Sequence, residues 1–257
     1  MKSFSCFFLM GLAILMSKNS LGQNASYFEV MQELQRVQNN FESPAGGFLS
    51  CNMTYQFSME STPAKIMDSL QGQFKSSSAI KYLKIGHTET VQNDSLVITI
   101  YNDDKVIMVV PIAPFSSPHS KQGLLLGDLD SSFISSNVKD VAIIQKGNLK
   151  TLSIHFNDSS KYYNCSLVYN ATTYLLQSMS YILKQSKIGE SGKPTPDGAL
   201  ITIKYSAFSK SSFDLTTLNA GKYIAVDGKG KASVQSAYKG YNVVQQEGAL
   251  NISKKYR

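Results

Sequence analysis

Three histidines, His87, His119 and His155, are the residues of this chain best suited to move protons or hold a metal near neutral pH. No two of them stand at i, i+2 or i, i+4 spacing, so neither a strand nor a helix gathers them at one site. No Gly-x-Ser-x-Gly elbow presents a serine nucleophile. Gly192-Lys193 has Lys187 where a phosphate loop needs its first glycine, and Pro194 follows. Asp128 and Asp130 open like a calcium loop, but Phe133 takes the place of the turn glycine and Lys139 that of the bidentate acid. The adjacent carboxylates Asp103 and Asp104 read as a hairpin turn. Cys51 and Cys165 have no neighbouring histidine or helix start to stabilise a thiolate. These residues point away from an enzyme and from any cofactor or metal.

The chemistry that does emerge is apolar. Leu49, Cys51, Met53, Tyr55, Phe57 and Met59 alternate with Ser50, Asn52, Thr54, Gln56 and Ser58. Successive side chains of a strand point to opposite faces, so 49–59 is one long strand with an apolar and a polar side. Met and aromatic side chains adapt to irregular partners, ligands included. Met108, Tyr163, Leu167, Tyr169, Met179 and Tyr181 lie on later strands that extend the same wall. Such a face is lined either by a filled core or by a partly open cavity.

The N-terminus reads as a secretory signal. Lys2 is the positive n-region, and Phe7 to Met16 are an apolar h-region of about ten residues. Ser20-Leu21-Gly22 is a small-x-small cleavage site that leaves Gln23 as the first mature residue. A membrane-spanning helix needs roughly 20 apolar residues, which this run does not reach. Cys6 precedes the h-region and so cannot be a lipoprotein's acylated cysteine. Loss of Lys2 and Lys18 lowers the formal charge from +7 to +5. Only Arg36 and Arg257 are arginines, and specific base or phosphate recognition leans on arginine. The expected location is therefore a periplasm, with no nucleic acid among the partners. Seven Asn-x-Ser/Thr triplets occur, but Asn52 and Asn164 fall inside predicted strands, which suits a bacterial envelope protein better than a glycoprotein. An oxidising compartment allows a Cys51–Cys165 disulfide, roughly 4–5 kcal/mol in the chain-entropy model, or leaves two buried thiols.

Those residues need elements to position them. Tyr27, Val30, Met31, Leu34 and Val37 recur at helical spacing over 25–39, with Glu33 and Arg36 on the outer face. Ser43 to Gly47 break that helix. Strands follow at 49–59, 70–75, 80–85, 88–91, 96–101 and 106–112, and then at 141–145, 150–156, 162–169, 175–183 and 200–205. Short strands at 223–226 and 241–244 close the chain. Residues 113–139 interrupt the meander and read as a loop carrying the apolar knob Leu124-Leu125-Leu126, either a lid or plug or a packed structural insertion. One helix of about fifteen residues covers only part of so wide a sheet.

This order resembles the outer-membrane lipoprotein carrier (LolA-like) family over residues 25–210. The resemblance rests on Gly47-Phe48-Leu49, Asp68 to Phe74 with its Gly-x-Phe strand, and the turns of 90–94 and 100–104. It continues through Leu152 to Phe156, Leu176 to Tyr181 and Leu200 to Tyr205. It implies an unclosed antiparallel β half-barrel, mainly β, capped by an N-terminal helix and a helical or loop lid. By implication 1–22 is a signal peptide and 23–257 one half-barrel domain, with an extension from about 213 that departs from the family pattern. Leu49, Met53, Tyr55, Phe57, Met59, Met108, Met179 and Tyr181 would be cavity wall, and Leu124, Leu125 and Leu126 lid. The implied partner is a lipid or acylated lipoprotein cargo, with transient contact to a membrane or an envelope protein. The alternative is an adaptor of an envelope complex whose cavity is filled by its own side chains. The family's lid-holding arginine lies on an early strand, where this chain has none. Intact-mass measurement of the exported protein is expected to show a chain beginning at Gln23; a chain retaining Met1 would overturn the signal-peptide reading.

Overall fold

The computed structural model describes residues 23–24, 26–42, 47–112, 134, 136–184 and 198–246. The loop containing Leu124 to Leu126, most of 113–139 and His119 lie outside the described residues. A capping box opens helix α1 (Tyr27–Glu42): the Glu29 amide donates to Ser26 Oγ at 3.3 Å, and the Ser26 amide donates to Glu29 Oε2 at 2.8 Å. Thirteen strands form one mixed, unclosed sheet that begins with β1 (Gln23–Asn24) and β2 (Phe48–Met59). Next come β3 (Asp68–Ser77), β4 (Lys81–Ile85), β5 (Thr88–Gln92), β6 (Leu96–Tyr101) and β7 (Val106–Pro111). The chain resumes with β8 (Val138–Lys146), β9 (Leu149–Phe156), β10 (Tyr162–Asn170), β11 (Leu176–Leu183) and β12 (Ala199–Ser209). A small hairpin of β13 (Ile224–Val226) and β14 (Ala232–Val234) precedes the edge strand β15 (Asn242–Gln245).

The strand order is β1-β8-β9-β10-β11-β12-β2-β3-β4-β5-β6-β7-β15. Every pairing is antiparallel except that of β15 with β7. The two meanders meet where β12 pairs with β2, placing Tyr205 opposite Met53, Ile203 opposite Tyr55 and Ile201 opposite Phe57. Ladder pairing satisfies backbone groups that would otherwise invite another chain, and β1 and β15 cover the two outermost long strands.

Two cores sit on opposite faces of this sheet. The first lies under α1, where Val30, Leu34, Val37 and Phe41 pack on Leu49, Cys51, Met53, Phe74 and the inner residues of β9–β12. Phe74 is paired with Leu83, which also faces that core, so its neighbour Tyr82 must point the other way. Tyr82, Val91, Ile98 and Val109 then follow in register across β4–β7 and open the second core. Its cover is the C-terminal extension, whose Leu218, Ala220, Tyr223, Ile224 and Ala232 are buried there. The Tyr82 and Tyr223 hydroxyls both donate to Glu89 Oε2 at 3.1 Å, so one carboxylate joins sheet and extension. Lys75 bridges the same seam, its ammonium 6.0 Å from the Tyr82 ring and 5.8 Å from that of Phe213. Gln245 ties the β13–β14 hairpin to the edge strand by accepting from the Ala232 amide and donating to the Gly230 carbonyl.

Tyr223 is fully buried at the centre of this second cover. Truncation to alanine, Tyr223→Ala, is expected to cost about 3–5 kcal/mol in urea unfolding, the range for a large buried aromatic. A loss below about 1 kcal/mol would mean that the extension folds independently of the sheet.

Candidate functional site

The inner face under and beside α1 is where the residues expected to form the wall converge. Leu49, Met53 and Met179 are buried in its core, while Tyr55, Phe57 and Tyr181 are half-buried and packed against it. Met59, opposite Ala199, is half-buried at the far end of the same strand. Met108 shares the face, through Thr99, Thr90 and Leu83, but lies five strands from β2, about 24 Å along the sheet. Of the further wall residues, Leu167 and Tyr169 are buried in this core, whereas Tyr163 is 42% exposed. A register shift between Tyr162 and Asn164 explains the difference, because a bulge exchanges the faces of neighbouring residues. Tyr162 takes the inner position, its ring 5.7 Å from Phe156 and 5.8 Å from Tyr181.

Gly72 makes room for this wall. It stands opposite Met53, and the Tyr55 ring edge would lie 3.4 Å from a Cβ placed there. That Cβ would also meet the Lys84 carbonyl oxygen at 2.8 Å, so only glycine lets β3, β4 and Tyr55 approach as they do.

Cys51 and Cys165 are both free and buried, and burial pushes each thiol up to about 12. The disulfide that the compartment would allow is not formed. Two strands, β11 and β12, separate them, about 14 Å along the sheet against a bonding reach near 7 Å between Cα atoms.

The helix is latched to the sheet by a buried carboxylate. Glu33, expected on the outer face, instead points to β9 and β10. Tyr169 Oη donates to its Oε2 at 2.6 Å, and Lys150 Nζ and Arg36 Nη1 donate to its Oε1 at 3.1 and 2.9 Å. Burial alone would raise this carboxyl; the Tyr169 and Lys150 hydrogen bonds and the charges of Lys150 and Arg36 outweigh it and hold it below the usual value. Tyr174, in the left-handed region at φ 55°, stacks its ring at 21° to that of Tyr169 and under Arg36 and Lys150. Arg36 is on the exposed side, as expected, yet it too reaches across, donating to Tyr174 Oη in the β10–β11 turn at 3.1 Å. At the other end of the helix, Phe41 meets the rings of Phe74, Tyr205 and Phe208 at about 6 Å.

His87 Nδ1 lies 2.7 Å from Asp103 Oδ1 at the turns after β4 and β6, where both side chains are about three-quarters exposed. The pair joins two hairpin turns. His155 is exposed on β9.

No protein-family model and no curated protein matches this chain. Among solved structures, it is similar to an uncharacterized conserved protein from Thermus thermophilus, at 11% identity and a TM-score of 0.44, covering 85% of this chain and 99% of that one. A LolA superfamily protein from Nitrosomonas europaea is similar at 9% identity and a TM-score of 0.34, over 77% of this chain and 99% of that one. The Pseudomonas aeruginosa MucA/MucB complex is similar at 12% identity and a TM-score of 0.41, over 75% of this chain and 61% of that one.

Because the folded Glu33 carboxyl is held down, its stabilisation is full above the ordinary value near 4.5 and is lost as pH falls through the folded value. Glu33→Gln is expected to lower stability at pH 7 by about 1–3 kcal/mol and to flatten the acid limb of the stability curve. Identical acid limbs in the two proteins would show that the latch contributes nothing.

Proposed function

We propose that this chain is an exported, non-enzymatic binding protein that shelters a lipid or the acyl chain of a lipoprotein against the inner face of its half-barrel. The observation that carries this reading is the uneven covering of that face. Beneath Phe41 and Leu34 it is closed core, but along Tyr55, Phe57, Met59, Tyr181 and Leu183 it is apolar and only half-buried. Burial of an acyl chain there contributes about 0.8 kcal/mol per methylene, so ten methylenes supply roughly 8 kcal/mol before ordering costs. No charged contact is needed for such binding. Export to a periplasm follows from the N-terminal pattern of Lys2, the 7–16 apolar run and Gly22.

The adaptor reading has one observation in its favour. Leu49, Met53 and Met179, three residues of the wall, are buried by the chain's own helix and strands. That part of the face is filled, and any cargo is confined to the half beyond α1.

Lipid mass spectrometry on the mature protein, purified without detergent from a periplasm, separates the two. A stoichiometric acyl lipid is expected; a lipid-free protein that also ignores fatty-acid probes would favour the adaptor. Tyr55→Asp and Phe57→Asp are expected to abolish uptake while circular dichroism stays that of a folded β protein. Retained uptake in both variants would remove these residues from the wall.

A further inference from the structure

Four strand ends lie level at one rim of the half-barrel. Tyr162 is paired with Leu183, Leu183 with Ala199 and Ala199 with Met59, so the ends of β10, β11, β12 and β2 form one row. All four residues are apolar and half-buried, and they carry the strip of Tyr55 and Phe57 to the edge of the sheet. Beyond that row the loop of residues 60–67 joins β2 to β3. Backbone bonds of 2.8–3.1 Å hold it in place: the Thr62 amide donates to the Met59 carbonyl, that of Lys65 to Thr62 and that of Met67 to Phe57. In this fixed frame Ile66 is 44% and Met67 66% exposed, and Tyr163 at the same rim is 42% exposed. Exposed apolar residues scattered singly are ordinary. Here three of the six large ones among the described residues gather at one end of the molecule.

Charge does not account for this gathering. Around these strand ends Lys65, Lys161 and Lys184 are balanced by Glu60, Asp68 and Asp158. Two of the lysines lie over rim tyrosines, Lys161 at 5.0 Å from the Tyr162 ring and Lys184 at 5.0 Å from that of Tyr163. Aliphatic side chains at a tip, with tyrosine and lysine set behind them, follow the order in which a bilayer passes from acyl chains to headgroups. A stable protein partner needs roughly 800 Å² from each side, far more than three side chains expose, whereas a fluid lipid surface needs no matching shape.

We propose that the 60–67 loop is a membrane-docking tip: Ile66 and Met67 enter the acyl region of a phospholipid bilayer, with Tyr163 at the headgroup level. Docking brings the half-buried strip to the lipid surface, where an acyl chain passes on or off the wall. The inference rests on the carrier reading above and adds to it the surface at which cargo is exchanged. Because the contact is made by apolar burial between balanced charges, it does not require anionic lipid. Two aliphatic side chains give a weak and reversible hold, which suits a protein that must leave the membrane again.

The mature protein is floated with phosphatidylcholine vesicles, with and without phosphatidylglycerol, at low and at high salt. It is expected to float with both, and the double variant Ile66→Ser, Met67→Ser to partition roughly 10- to 100-fold more weakly into each. Neither side chain is buried, so that variant is expected to keep the wild-type melting temperature and the wild-type uptake of N-phenyl-1-naphthylamine in vesicle-free buffer. The chain has no tryptophan, so Met67→Trp makes a sole emission reporter, expected to shift to the blue on adding either vesicle. Undiminished partition of the double variant, unchanged tryptophan emission, or binding that needs phosphatidylglycerol and vanishes at high salt would overturn the tip, while probe uptake leaves the carrier reading in place. A double variant that loses probe uptake would overturn it as well, by placing these residues in the wall. A wild-type protein that neither floats nor takes up the probe would overturn both readings.

Discussion

An α-helix of sixteen residues is about 24 Å long, whereas thirteen strands at about 4.8 Å spacing extend over roughly 58 Å of sheet. One helix cannot bury one face of such a sheet, and the rest of the architecture answers that shortfall. The sheet curls so that α1 serves the β2, β3 and β8–β12 region, where the inner face is densely apolar. Beyond the reach of α1 the burden passes to the other face, and the C-terminal extension supplies the second cover. The half-buried strip from Tyr55 to Met59 is what neither cover fully closes.

Both covers are held in the same way. Each is joined to the sheet by a glutamate that accepts from tyrosine hydroxyls: Glu33 from Tyr169 under the helix, and Glu89 from Tyr82 and Tyr223 under the extension. Glu33 is buried and Glu89 half-buried, and a carboxylate taken from water is costly unless its oxygens are satisfied, so these contacts fix position more than they add stability. Glu33 is further matched by Lys150 and Arg36, and Tyr174 closes the cluster with a stacked ring. A glutamate carried on the cover and one carried on the sheet therefore perform equivalent work on opposite faces. Among the described residues, Tyr205 differs from these tyrosines in that its buried hydroxyl has no such acceptor, as Ser76 Oγ also has no partner.

Much of this is legible in the residues. The alternation of 49–59 predicts β2 to within one residue, and the turns at Asn93-Asp94 and Asn102-Asp103-Asp104 bound β5–β7 as observed. The helix lies where the 3.6-residue spacing puts it, though it begins at Tyr27, where Ser26 and Glu29 form the capping box, and runs on to Glu42. Glu33 departs from its expected outer face because periodicity sorts residues by polarity, and a carboxylate satisfied by Tyr169 and Lys150 is buried in spite of it. The second core has a signal of its own in the chain. Leu96, Ile98 and Ile100 on one strand and Ile107 and Val109 on the next are apolar at alternate positions, the period-2 mark of a strand face turned to a core. Tyr163 lies on the opposite side from its expected one because a bulge cannot be seen in an alternating pattern.

By itself the amino-acid sequence determined the element types and their order, because side-chain period and turn residues are local properties of the chain. It also determined the apolar wall of β2 and the absence of any recognisable catalytic or metal-binding motif. Only the tertiary structure decided which face each strand turns to which cover, since that depends on ladder partners far apart in sequence, as between Tyr205 and Met53. It likewise decided that Cys51 and Cys165 stay apart as free thiols and that Glu33 is a latch. The unsatisfied hydroxyl of Tyr205 belongs to the same class, because a missing partner is a property of what surrounds a residue and not of the residue itself.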